Sequence, residues 1–144
     1  MKVLMYYLVA FVMMFVLGTA HAGARTIQML NKDENGNKMI YSEELAKIEV
    51  GETITWVPTS KGHNVEFIAG PEGVDLPKKS KNSKEVSMTF EVPGIYYYLC
   101  TPHKGMGMIG LVVVGGDTSN KDVIAKAKAL GKSKKKLKAL LGEL

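Results

Sequence analysis

Residues able to do chemistry crowd into one nine-residue run, Cys100-Thr101-Pro102-His103-Lys104-Gly105-Met106-Gly107-Met108, which carries a thiol, an imidazole and two thioethers. A second imidazole, His63, stands well upstream, directly after Lys61-Gly62. Two imidazoles and one thiolate, with a weak and distant thioether, form a donor set suited to copper in both oxidation states. Thiolate and thioether favour Cu(I), and imidazole accepts either state. Zinc competes for Cys and His. Structural zinc sites, however, usually bring two or more thiolates in C-x-x-C spacing, and catalytic sites keep a position open for substrate, whereas the candidate donors here already number four. Chemistry alone leaves both Met106 and Met108 eligible as the thioether.

The N-terminus makes the lone thiol informative. Lys2 is followed by an apolar run from Val3 to Leu17, then by Ala20 and Ala22 in the spacing a signal peptidase requires, so residues 1–22 read as a secretory signal peptide and the mature chain begins at Gly23. The rival reading is a permanent anchor, although the run falls short of the roughly 20 residues that span a bilayer. An exported protein normally pairs its cysteines, yet Cys100 is the only one. It is either a buried inert residue, an intermolecular disulfide partner, a nucleophile or a metal ligand. Of the three histidines, His21 leaves with the signal peptide, so every remaining His and Cys belongs to the candidate site. A Cys-His hydrolase would need an accessible thiolate beside an orienting base, which an inward-facing residue at a strand end does not provide.

Charge excludes little. The chain carries 19 Lys plus Arg against 14 Asp plus Glu, but residues 117–144 hold 8 basic and 3 acidic side chains while residues 23–116 are nearly balanced. Basicity is thus expected to belong to the C-terminal tail and not to the surroundings of the metal, and it is weak evidence for nucleic-acid binding, which is not expected.

The elements that must position the donors read as a mainly β domain. Short β-rich segments are expected at Thr26–Leu30, Met39–Ser42, Ala46–Val50, Thr53–Pro58, Asn64–Ile68, Glu85–Glu91, Gly94–Leu99 and Gly110–Val114, with turns at Asn35-Gly36, Gly51-Glu52 and Pro93-Gly94. This pattern implies an antiparallel sandwich or barrel. On the strand Gly94–Leu99, side chains alternate, so Tyr96, Tyr98 and Cys100 share one face and Cys100 should point into the core. His63 should open the strand Asn64–Ile68. The stretch from Ala69 to Ser83 lacks a period and reads as a surface loop or a short helix. Beyond Gly115-Gly116 two helices are expected: one capped by Ser119, burying Val123, Ala127 and Leu130 and ending at Gly131, and one capped by Ser133, burying Leu137, Leu140, Leu141 and Leu144. The division is therefore 1–22 signal peptide, 23–116 metal-binding domain and 117–144 helical extension packed on it.

With these residues in view, 26–116 resembles a cupredoxin domain, and the loop C-T-P-H-K-G-M-G-M with the upstream K-G-H-N-V-E resembles the pseudoazurins. The C-x2-H-x4-M spacing is shared with plastocyanins; the two-helix extension and the length between His63 and Cys100 favour the pseudoazurins. The resemblance implies a Greek-key cupredoxin β-sandwich of about eight strands with two C-terminal helices. It also implies one type 1 copper ion cycling between Cu(II) and Cu(I), with His63, Cys100 and His103 as equatorial ligands and Met108 as the axial one. Asn64 corresponds to an Asn that points its N–H at the cysteine sulfur and ties the ligand loops together. Pro102 and Met106 would form an apolar patch around the edge of His103, with Lys61 and Lys104 beside it. Leu99 stands where some pseudoazurins have a basic residue. The implied function is a monomeric, periplasmic electron shuttle that is not an enzyme and, once the signal peptide is gone, keeps no stable membrane association. Its partners would be periplasmic redox proteins: reductases, such as copper nitrite reductase or nitrous oxide reductase, and cytochromes. A plastocyanin-like carrier with another partner and a periplasmic copper chaperone are the alternatives.

Overall fold

A computed structural model describes residues 23–144; the expected signal peptide lies outside them. Eight strands are followed by two helices: β1 Ala24–Lys32, β2 Lys38–Tyr41, β3 Leu45–Ile48, β4 Thr53–Val57, β5 Glu66–Ala69, β6 Val86–Thr89, β7 Gly94–Leu99, β8 Ile109–Val114, α1 Lys121–Ala125 and α2 Lys132–Gly142. They form two four-stranded sheets, ordered β2-β1-β4-β6 and β3-β8-β7-β5. The expectation of purely antiparallel sheets is corrected. β1 runs parallel to β4 and β3 parallel to β8, because strands β3 to β6 alternate between the sheets and only β1–β2 and β7–β8 are joined as local hairpins.

Strand β7 explains how one chain segment serves two cores. All six of its residues are buried. Tyr96, Tyr98 and then Cys100 face the space between the sheets, packed with Trp56, Phe90, Tyr41 and Met108, while Ile95, Tyr97 and Leu99 face the helices. The aromatic rings meet edge to face, Trp56 and Tyr98 at 5.2 Å between centroids and Phe90 and Tyr96 at 4.9 Å, as the ring quadrupole favours. Leu99 lies buried inside the helix-side cluster.

The helices differ from expectation in phase. α1 spans only Lys121–Ala125 and buries Ile124, leaving Val123 and Leu130 in solvent. The cause is Asn120, which occupies the capping position in place of Ser119 and pairs with the backbone of β7 like a short extra strand. Its Oδ1 accepts from Ile95 N–H and its Nδ2 donates to Ile95 O, both at 2.8 Å, which sets the face that the following turn presents to the sheet. α2 buries Leu137, Leu140 and Leu141 as expected, but its cap is Gly131 and Ser133 sits fully buried inside the first turn. The stretch Ala69–Ser83 holds no helix; past the end of β5 it is turns and coil.

Candidate metal centre

The loop between β7 and β8 begins with Cys100, which is 0% exposed and faces the inter-sheet core as strand alternation predicts. A short 3-10 turn, Thr101–His103, follows with Pro102 in its first positions. Backbone bonds then fold the loop on itself. His103 N–H donates to Cys100 O at 3.0 Å, Met106 N–H to His103 O at 2.9 Å, and Cys100 N–H to Met108 O at 2.9 Å. Gly107 permits the closure with φ 95, a left-handed value that side-chain-bearing residues avoid. The closure separates the two methionines: Met108 is 0% exposed in the same cluster as Cys100, and Met106 is 48% exposed.

His63 arrives from the segment between β4 and β5. It does not open a strand as expected, since β5 begins at Glu66. It is held instead by the loop ahead of β6 and by its own neighbours. Gly62 N–H donates to Ser83 Oγ and Ser83 N–H to His63 O, both at 2.8 Å, and Tyr41 O–H donates to Asn64 O at 2.7 Å. The ring is fixed by Asn31 on β1, whose Oδ1 lies 2.8 Å from His63 Nε2. That contact places the proton on Nε2 and leaves the Nδ1 lone pair free to bind a cation.

Three donor atoms converge. His63 Nδ1 and His103 Nδ1 are 3.1 Å apart, and Cys100 Sγ lies 3.7 Å from the first and 3.3 Å from the second. Among the described residues this is the group of His and Cys side chains placed to hold a metal ion. Two neutral imidazole nitrogens at such a distance repel unless a proton or cation lies between them. Donors about 2.0–2.3 Å from a shared ion stand about 3.5–3.7 Å apart at trigonal angles, close to the 3.1–3.7 Å found. With buried Met108 beside them, the four side chains make the arrangement of a type 1 copper site.

Local electrostatics favour the metal-binding forms of the imidazoles. Burial, and then the neighbouring His103, lower the pKa of His63; burial lowers that of His103. Burial raises that of the Cys100 thiol, opposed by backbone N–H groups of Asn64 and His103 directed at the sulfur. A cation is therefore needed to draw the proton off this thiol, and metal uptake should release it.

Asn64 bridges the two ligand segments. Its Oδ1 accepts from Thr101 N–H at 2.8 Å, its Nδ2 donates to Thr101 Oγ1 at 3.0 Å, and Thr101 O–H donates to Glu66 Oε2 at 2.6 Å. Sequence reading missed Asn31, Thr101, Glu66 and Ser83. Thr101 carried a signal in its place next to Cys100, and Glu66 in closing the K-G-H-N-V-E stretch; Asn31 and Ser83 reach the site across the fold.

At the surface, Lys61, Pro102, Lys104 and Met106 are exposed and His103 is partly so. The expectation that tail basicity lies away from the metal is overturned. A Cβ on Gly107 would stand 3.5 Å from Lys132 Cβ and 3.6 Å from Lys136 Cε, so α2 lays two of its lysines against the ligand loop. Lys38, Lys132 and Lys136 border a groove beside Met106, where Lys136 pairs with Glu44; Lys79 and Lys81 border another beside Pro102.

Comparison with known proteins agrees with this geometry. The family described as copper binding proteins, plastocyanin/azurin family, matches residues 27–115. The chain is 41% identical to a pseudoazurin of Paracoccus pantotrophus over 85% of either chain. It superposes on the crystal structure of native pseudoazurin from Hyphomicrobium denitrificans with a TM-score of 0.77 and 40% identity, covering 85% of this chain and 98% of that one. Against pseudoazurin from Methylobacterium extorquens the TM-score is 0.77 at 33% identity, covering 84% and 98%.

Proposed function

The chain belongs to the plastocyanin/azurin family of copper-binding proteins, among its pseudoazurins, and from that premise we propose that it is a periplasmic carrier of single electrons whose copper is held by His63, Cys100, His103 and Met108. The observation that carries the assignment of ligands is the convergence of two Nδ1 atoms and one Sγ within 3.7 Å of one another, with Met108 buried in the same cluster as Cys100. When bound, the copper takes up and gives back one electron between Cu(II) and Cu(I).

The protein's own part is to keep its donors still. His63 is pinned by Asn31, Cys100 by the strand it ends and by the bond to Met108 O, and the two ligand segments by Asn64. Ligands that need not rearrange lower the cost of each transfer. The barrel of aromatic side chains beneath Cys100 excludes water from that side, which leaves the partly exposed edge of His103 as the way in and out. Pro102 and Met106 frame that edge with apolar surface, and Lys61 and Lys104 steer an acidic partner toward it. Electrostatic steering mainly raises association rate and is screened over roughly 8–10 Å at physiological salt. The partners in this reading are periplasmic reductases or cytochromes, and the signal peptide 1–22 delivers the mature chain to them as a monomer.

The experiment is to load the purified mature chain with copper, record its visible spectrum, and mix the reduced form with a copper nitrite reductase in a stopped-flow instrument. An intense thiolate-to-copper band that bleaches reversibly with one electron, and is restored by the reductase, is the expected result. A colourless copper adduct would sink the ligand assignment, and a coloured protein inert to periplasmic reductases and cytochromes alike would sink the shuttle.

A further inference from the structure

Helix α2 does more than cover the outer face of β7 and β8. Its first turn meets the outer rim of the ligand loop. Lys132 N–H donates to Gly105 O at 3.0 Å, and the Ser133 hydroxyl donates to Lys104 O at 2.5 Å. Gly131 approaches so closely, with φ 54, that a Cβ there would lie 2.6 Å from Gly105 O.

Two sets of unpaired groups cancel at this contact. The first N–H groups of a helix and the last C=O groups of a helical turn have no partners within their own element. Here the start of α2 supplies donors, and the residues following the 3-10 turn at Thr101–His103 supply acceptors. Ser133 is 0% exposed, which a hydroxyl tolerates only when bonded. Its partner is the carbonyl of the residue immediately after the ligand His103.

The loop needs such a hold. Gly105 has open space where a side chain would be, and Gly107 adopts a left-handed backbone, so neither residue stiffens the segment between His103 and Met108. The bonds within the loop close its inner side; the two bonds from α2 secure its outer one.

We propose that Ser133 is a positioning residue of the metal centre: through the carbonyl of Lys104 it holds the ligand loop, and with it His103, in metal-binding geometry, so that the C-terminal helix forms part of the frame of the site. The proposal rests on the copper reading above for its spectroscopic test, and on the protein alone for its dynamic test.

Three variants separate positioning from mere stability. Ser133→Ala removes the hydroxyl, Gly131→Ala pushes α2 off the loop by steric means, and Leu141→Ala weakens the same helix at its far end, where Leu141 is buried against the sheet. In the copper-free protein, amide hydrogen exchange at Met106, whose N–H is bonded to His103 O, should quicken relative to Val112 in the first two variants and not in the third. In the copper-loaded protein, the first two should shift the thiolate-to-copper bands and lose metal faster to a chelator, while Leu141→Ala only lowers the melting temperature. Wild-type loop exchange and a wild-type spectrum in Ser133→Ala would overturn the proposal, as would equal changes in Leu141→Ala. A wild-type protein that takes up no copper would overturn the copper reading, with the exchange comparison still deciding the role of Ser133.

Discussion

The amide N–H of Cys100 donates to the carbonyl oxygen of Met108 at 2.9 Å. One backbone bond therefore ties the first residue of the ligand loop to its last, and both side chains lie in the same buried cluster.

Replacing Cys100 with Ser should abolish the intense visible absorption of the copper-loaded protein, because a hydroxyl supplies no thiolate-to-copper charge transfer. Absorption spectra at equal copper occupancy check this; a retained band would assign the colour elsewhere.

Met108→Gln should leave copper bound and move its reduction potential, since an axial donor tunes the centre without being its main anchor. Met106→Gln, at a side chain 48% exposed, should change the spectrum little. Redox titration of both variants decides which methionine is axial.

Asn31→Ala should weaken copper binding by about 10–100-fold, the usual effect of removing the partner of a ligating histidine. The loss acts through the His63 ring, which is then free to swap its proton between nitrogens. Competition with a chelator of known affinity measures it, and an unchanged affinity would mean that packing alone orients the ring.

Lys132→Glu should slow second-order electron transfer and flatten its dependence on ionic strength, as Lys61→Glu with Lys104→Glu should, because α2 brings Lys132 against Gly107. Lys138→Glu, beside the groove between α1 and α2, should have a much smaller effect. Stopped-flow rates against salt compare them; a larger loss at Lys138 would place the partner at the groove between α1 and α2, away from the ligand loop.

Gly110→Ala should destabilise the fold by roughly 1–3 kcal/mol, the usual range for overfilling a packed core. Gly110 pairs with Tyr98 across β7 and β8, and a methyl there would press on the Tyr98 ring, which is wholly buried. Thermal or denaturant unfolding of the copper-free protein gives the number.

The donors were legible because scarcity did the sorting: after His21 is set aside, one thiol and two imidazoles remain, and the two-residue period of β7 orients the thiol. What lay hidden depends on layers meeting. Asn31 reaches His63 from β1, 32 positions earlier in the chain, so no local pattern marks it. The phase of α1 is set by Asn120 binding Ile95, a tertiary contact that overrides the apolar spacing of Val123, Ala127 and Leu130. The place of Lys132 and Lys136 follows from the docking angle of α2, which charge counts along the chain cannot carry. The parallel pairs escaped because strands that alternate between sheets leave no hairpin signature.

The parallel pairing of β3 with β8 joins Leu45 to Leu111, partners separated by most of the domain. Pairings between strands so far apart in sequence fold slowly, in milliseconds to seconds. Cys100 is wholly buried in the core between the sheets only once the fold is complete, and the sequence offers it no second cysteine. The thiol is thus open to other molecules throughout the slow interval, so refolding yield in an oxidising medium should fall as protein concentration rises and recover with a reductant, with crosslinked dimers accounting for the difference.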